Sequence, residues 1–216
     1  MNTPETARSQ PVPSPAPVPA ADLLAAAERG DADVVRAAIT AGADLEVRDS
    51  AGRTPLLLAA TADRVEVASL LVAAGAEPDA LDHRHDTPWL VTGVTGSVAM
   101  ARALLPAEPD LTITNRFGGT SLIPAAERGH VEYVRFASGT GIDVNHVNNP
   151  GWTALLEAVI LGDGSDRYQE IVRILIAAGA DVNLADRSGV TPLTHARADG
   201  QAEVAAILTA AGAQAP

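Results

Sequence analysis

Thr54-Pro55-Leu56-Leu57, Thr87-Pro88-Trp89-Leu90, Thr120-Ser121-Leu122-Ile123, Thr153-Ala154-Leu155-Leu156 and Thr191-Pro192-Leu193-Thr194 are copies of one phrase in one register. Their threonines step by 33, 33, 33 and then 38 residues. A period in this range marks a stacked repeat: one unit cannot bury its apolar face alone, and neighbours build a continuous core. In the first copy Thr54 is placed to cap a helix with its hydroxyl. Pro55 follows at the first helical position, where its missing N–H costs nothing.

Outward from that phrase, each unit repeats one grammar. In the second unit Asp49-Ser50-Ala51-Gly52-Arg53 is turn chemistry, with Gly52 where a positive φ is needed. Leu56, Ala59 and Ala60 give the first helix an apolar face at i, i+3 and i+4. A break at Thr61 to Asp63 leads to a second helix with the same spacing in Val67, Leu70 and Leu71, and Gly75 closes it. Units are predicted near 21–49, 50–82, 83–115, 116–148, 149–186 and 187–216, the first degraded at its cap position. Residues 1–20 stand apart. Pro11-Val12-Pro13-Ser14-Pro15-Ala16-Pro17-Val18-Pro19 alternates proline with small residues, which blocks helix and sheet and predicts a disordered, semi-stiff leader.

The pattern resembles the ankyrin repeat, read as turn, Gly-x-Thr-Pro-Leu, helix, short loop, helix, Gly-Ala-Asp. The resemblance covers residues 21 to about 213. It implies an all-α solenoid of about six stacked helix-turn-helix units with β-turn tips, which holds another protein on its concave face and tips. Departures from the motif carry their own expectations. Leu57, Leu90, Ile123, Leu156 and Thr194 stand where the family usually has His, so apolar packing replaces a side-chain hydrogen bond in most units. His85 stands where the turn expects Gly, so it either takes a left-handed conformation or changes the turn. Pro124 falls in the first turn of its helix, a tolerable place. Ala137-Ser138-Gly139 replaces the usual leucines and predicts a weak second helix in that unit. The 38-residue step comes from five extra residues, Gly162-Asp163-Gly164-Ser165-Asp166, placed between the two helices of their unit. Similar insertions in bacterial ankyrin proteins imply a bacterial type.

Composition narrows the function. The formal charge is −12, with 27 Asp and Glu against 15 Lys and Arg. A phosphate backbone is held by clustered cations, so nucleic acid is not the expected partner. Six aromatic residues are too few for a base-stacking platform. With no cysteine, disulfides, thiolate nucleophiles and Cys-based zinc sites are excluded. No stretch approaches the roughly 20 apolar residues of a membrane span, and residues 1–20 lack the apolar core of a secretory signal. The expected setting is the cytoplasm, without a membrane partner.

Two clusters could hold a metal. Asp163, Ser165 and Asp166 offer oxygen ligands, but the twelve-residue calcium spacing and its closing Glu are missing. His83 and His85 beside Asp82 and Asp86 offer zinc ligands, yet no third His lies near in sequence. No Gly-x-Ser-x-Gly elbow or phosphate-cradling Gly-Lys-Ser/Thr loop is present. No enzyme activity, cofactor or metal is expected.

The turn tips carry the candidate binding residues: Arg48, Arg53, Arg84, Arg116 and Arg187, with Phe117, Pro150 and Trp152 adding apolar area on two adjacent turns. Arginine and aromatic side chains dominate interface hot spots. Trp89 occupies a buried Leu position and is assigned to packing. The fourth residue after each capping threonine is expected to face the groove: Leu58, Val91, Pro124, Glu157 and His195. Three apolar positions followed by two polar ones imply a partner with a matching division, with Leu58 and Val91 as exposed contacts. The function expected is a monomeric, non-catalytic module binding another protein. The alternative is an immunity or inhibitor protein that blocks one enzyme or toxin through the same surface.

Overall fold

The computed structural model describes residues 19–214, so most of the proline-rich leader lies outside the described residues. Among the described residues, twelve α-helices form six antiparallel pairs: α1 (Ala20–Arg29), α2 (Ala32–Thr40), α3 (Pro55–Thr61), α4 (Val65–Ala73), α5 (Pro88–Thr95), α6 (Val98–Leu104), α7 (Leu122–Glu127), α8 (Val131–Ala137), α9 (Ala154–Ile160), α10 (Asp166–Ala177), α11 (Pro192–Ala198) and α12 (Ala202–Ala210). A 3₁₀ turn over Leu105–Ala107 follows α6. The odd-numbered helices stack in an inner row and the even-numbered ones behind them. No strand occurs among the described residues, and none of their helices is long and apolar enough to cross a membrane.

The caps form as the phrase requires. Thr54, Thr87, Thr153 and Thr191 accept with Oγ1 from the N–H three residues ahead, at 3.2 to 3.3 Å. Each also accepts with its carbonyl from the N–H four residues ahead, which starts the helix. The copy at Thr120 departs from this, for a reason written in its sequence. Pro124 has no N–H to give, so the Thr120 carbonyl takes the N–H of Ile123 instead, at 3.2 Å. That leaves Thr120 Oγ1 buried without a partner, and α7 starts only at Leu122 with six residues. The proline is tolerated, but at the expense of the cap.

Each tip closes through one side chain five residues before the threonine. Asp49, Asp82, Asn115, Asn148 and Asp186 each accept from two backbone N–H groups of their own turn, at 2.8 to 3.1 Å. Two residues before the threonine the backbone turns left-handed, at Gly52, Gly118, Gly151 and Gly189. His85 takes the same conformation at φ 62°. Of the two outcomes open from the sequence, His85 adopts the left-handed one.

Leu56, Trp89, Leu122, Leu155 and Leu193, at one repeat position, are all fully buried. Trp89 is thus a packing residue. Leu57, Leu90, Ile123 and Leu156, in place of the family's His, are buried as well. Polar ties join the units. Side chains near the start of the outer helices reach back to the ends of the preceding inner helices: Arg64 to the Glu28 carbonyl, His130 to Val94, Tyr168 to Glu127 and Gln201 to Val159, at 2.8 to 3.1 Å. Of the five extra residues, Gly162 to Ser165 lie between α9 and α10, and Asp166 is the first residue of α10, which is twelve residues long. The weakness expected of the second helix around Ala137 does not show in its length: α8 has seven residues, as α6 does, and it packs closely on α10 though only lightly on α6. On the inner row α5 and α7 touch through Gly93, whose missing side chain admits the Ser121 backbone.

Candidate functional site

A groove of about 570 Å³ crosses α3, α5, α7 and α9 on the tip side of the inner row. Its floor is built from Leu57, Val91, Ile123, Pro124 and Glu157. One wall is made of turn tips, where Arg53, Arg84, Arg116, Phe117, Pro150 and Trp152 stand. The opposite wall is formed by the C-terminal ends of the helices, with Thr61, Val94, Glu127, Arg128 and Leu161. Seven of the ten residues expected from the sequence to contact a partner therefore lie together in one concavity: Arg53, Arg84, Val91, Arg116, Phe117, Pro150 and Trp152.

Their states differ. The Arg53 guanidinium is held by Asp49 at 2.7 Å and is only half-exposed. Arg84 reaches its nearest carboxylate, Asp86, only at 4.0 Å. Arg116 lies over the Phe117 ring, 4.4 Å from its centroid, and forms no ion pair among the described residues. Phe117 is 54% exposed. Stacking on the ring holds the guanidinium in place while its five donors stay free for a ligand.

The remaining three are placed elsewhere. Arg48 donates from Nη1 to the carbonyls of Gly52, at 2.9 Å, and of Leu81 on the next tip, at 2.6 Å. It is a staple between turns. The stem of Arg187 covers Gly151, where an added Cβ would meet Arg187 Cγ at 2.4 Å. Leu58 corrects the expectation of an exposed contact. It is 2% exposed and belongs to the core, because at this end of the groove α3 presents only its Leu57–Thr61 edge. Val91 lines the floor but keeps just 8% of its surface, so it too is not exposed as expected. His195, last of that row, is engaged with Asp186: the ring donates from Nε2 to Oδ2 at 2.9 Å.

Buried carboxylates give the groove its electrostatic character. Burial raises the Asp86 pKa, the charge of Asp82 adds to the rise, and Arg84 and Arg116 act against it. Glu157 is the extreme case. Burial lifts its carboxyl to about 7, against the hydrogen bond from Asn148 Nδ2 at 2.9 Å and with Glu127 adding repulsion. At the tips, hydrogen bonds from Val190 N–H and then from His195 lower Asp186.

Sequence reading missed the row of Asp and Asn closures and the pair Asn148–Glu157. The signal existed: positions 49, 82, 115, 148 and 186 step by the same 33, 33, 33 and 38 as the threonines. Among the described residues no three His, Asp or Glu side chains converge as metal ligands do. The His83 ring instead lies across Gly52 of the preceding tip, and Asp163 accepts from the N–H of Ser165 at 3.0 Å.

Comparison with known proteins agrees with this architecture. The family described as ankyrin repeats (3 copies) matches residues 23–82 and 89–186. Over 194 residues the chain is 41% identical to the ankyrin repeat protein YahD of Escherichia coli (strain K12), covering 89% of this chain and 96% of that one. The solved ankyrin repeat domain from Acinetobacter baumannii AYE superposes with a TM-score of 0.86 at 47% identity, over 89% of this chain and 98% of the other. The ankyrin repeat domain of Bcl-3, a member of the IkappaB protein family, gives 0.80 at 30% identity, over 89% and 86%.

Proposed function

The chain belongs to the ankyrin repeat family, and on that premise we propose that it is a non-catalytic module that holds one partner protein in the groove over α3, α5, α7 and α9. Stacked repeats create extended concave surfaces of the kind proteins dock against. The single observation that carries this reading is the pair of adjacent tip arginines in the groove wall. Arg84 has its nearest carboxylate only at 4.0 Å, and Arg116 is held over an exposed Phe117. In a chain of net charge −12, two such guanidinium groups beside exposed aromatic area fit acidic groups on a partner. The groove is open to water along its length, which suits docking better than chemistry in a sealed site. Within this proposal the protein acts as a monomer in the cytoplasm, with neither nucleic acid nor membrane as its target.

The test is affinity capture from the source cell with two baits, wild type and Arg84→Glu/Arg116→Glu. Both side chains are exposed and hold no strong ion pair, so the double variant is expected to fold, with a somewhat lower melting temperature from repulsion by Asp82 and Asp86; its circular dichroism spectrum should match the wild type's. The variant should lose the partner that the wild type retains. Equal recovery by both baits refutes the assignment of the tips.

A further inference from the structure

The groove changes character along its length. At its arginine end the wall is basic, whereas over α7 and α9 the floor turns acidic through Glu127 and Glu157. Glu157 is only 6% exposed, yet it lines the groove. Its Oε1 accepts from Asn148, and its Oε2 has no hydrogen-bond partner among the described residues. No Arg or His nitrogen of the described residues lies within 4.0 Å of either carboxylate. Arg128, which caps the C-terminus of α7, is exposed and also unpaired among the described residues. Beside the carboxylates stand Trp152 and Leu161, the latter 48% exposed.

The unpaired Oε2 is not sealed in: it opens on the groove, where water serves it in the free protein and a donor from a partner can replace that water. A cationic side chain arriving from outside would supply both a donor for Oε2 and a countercharge. Its alkyl stem would lie along Trp152 and Leu161, as long basic side chains lie on apolar surface. We propose that Glu157, with Glu127, is an anchor subsite for a lysine or arginine side chain on an extended segment of the partner protein. This rests on the docking role given above and adds the partner's chemistry: the segment is basic where it crosses α9 and acidic where it reaches Arg84 and Arg116.

The subsite also makes binding depend on pH. Glu157 titrates near 7, and a cation requires it ionised, so binding expels a proton. The ionised fraction of such a group rises about tenfold between pH 6 and pH 8, and the affinity should follow it.

The experiment selects random twelve-residue linear peptides, by display at pH 8 and moderate salt, on the full chain and in parallel on Glu157→Gln. Glutamine can still accept from Asn148, so this variant is expected to fold. Peptides enriched on the wild type should share one Lys or Arg. Replacing that residue by Ala should weaken binding to the wild type at least tenfold, and to Glu157→Gln by less than twofold. The tenfold gain from pH 6 to pH 8 should be present with the wild type and absent with Glu157→Gln. Non-specific attraction to an acidic protein would survive the substitution and so overturns the subsite. Enriched peptides without a common basic residue, or bound alike by both proteins at both pH values, also overturn it while leaving the groove reading intact. No enrichment on either protein overturns the groove reading as well.

Discussion

Gly93→Ala sets two physical effects against each other, and the structure decides the sign. Gly93 lies inside α5, where replacing glycine by alanine ordinarily stabilises a helix by about 1 kcal/mol. Here a Cβ would stand 1.9 Å from the Ser121 carbonyl oxygen, 2.7 Å from its carbon and 2.9 Å from its Cα. All three atoms are backbone, so no rotamer change relieves the clash. To restore a contact above 3.0 Å, α5 and α7 must separate by about an ångström, and the gap forfeits a quarter to a half of the dispersion energy of the atoms it parts. Overpacking costs about 1–3 kcal/mol, and a clash this close with rigid backbone belongs at the upper end, about 2–3, of which the propensity gain offsets about 1. Urea unfolding followed by far-UV circular dichroism should therefore show Gly93→Ala to be less stable by about 1–2 kcal/mol, with a melting temperature lower by roughly 2–8 °C in a protein of this size. Gly139→Ala is the control. The Cβ there would meet only the Phe136 carbonyl, at 3.5 Å, and the change should stay within about 0.5 kcal/mol. If Gly93→Ala is as stable as the wild type, the close approach of the inner helices is not as described.

The other predictions concern single groups. Glu157 has a folded pKa of about 7 against an ordinary value of 4.5, so the folded state holds a proton that the unfolded chain has released within that window. Its stabilising contribution is complete below about pH 4.5 and is lost as pH rises through 7, by roughly 3 kcal/mol in full. Glu157→Gln should remove this slope, gaining stability over the wild type from pH 5 to pH 8; urea midpoints that shift in parallel for both proteins contradict the burial argument. His85 occupies a left-handed position that glycine fills at the four other tips, so His85→Gly should raise stability by about 0.5–1 kcal/mol in thermal unfolding. A loss of stability would mean that the His85 side chain supports its tip.

What could be read in the sequence, and what could not, follows from how far each interaction reaches. The threonine caps and the left-handed turns are decided within four residues, so the repeating phrase contained them, including the demand placed on His85. The effect of Pro124 was local too, but it required following the hydrogen bond that proline cannot give, and so the lost cap at Thr120 was missed. Arg48 and Arg187 resemble free tip arginines until the neighbouring turn, some 33 residues away, is set beside them. The closing Asp and Asn positions were hidden differently: the two residue types alternate while serving one acceptor role, so identity obscured a spacing that was present.

The fourth residue after the threonine shows why the groove was only half legible. In a stacked repeat this position always sits on the same face of the inner helix, and its use depends on where the unit lies. Leu58, at the groove's end, turns into the core; Val91 and Pro124 make the floor; Glu157 bonds Asn148; His195 bonds Asp186. The last two are one device with the charges exchanged, a polar side chain reaching nine residues back to its own tip. In Asp186–His195 the acid is at the tip and its partner can carry a positive charge, so the pair satisfies itself. In Asn148–Glu157 the acid sits in the floor and its partner is neutral, so one carboxylate oxygen and one negative charge are left over. That remainder lies in the groove rather than outside it, which is why the position best suited to recognise a cation is also the one that stacking alone leaves unresolved.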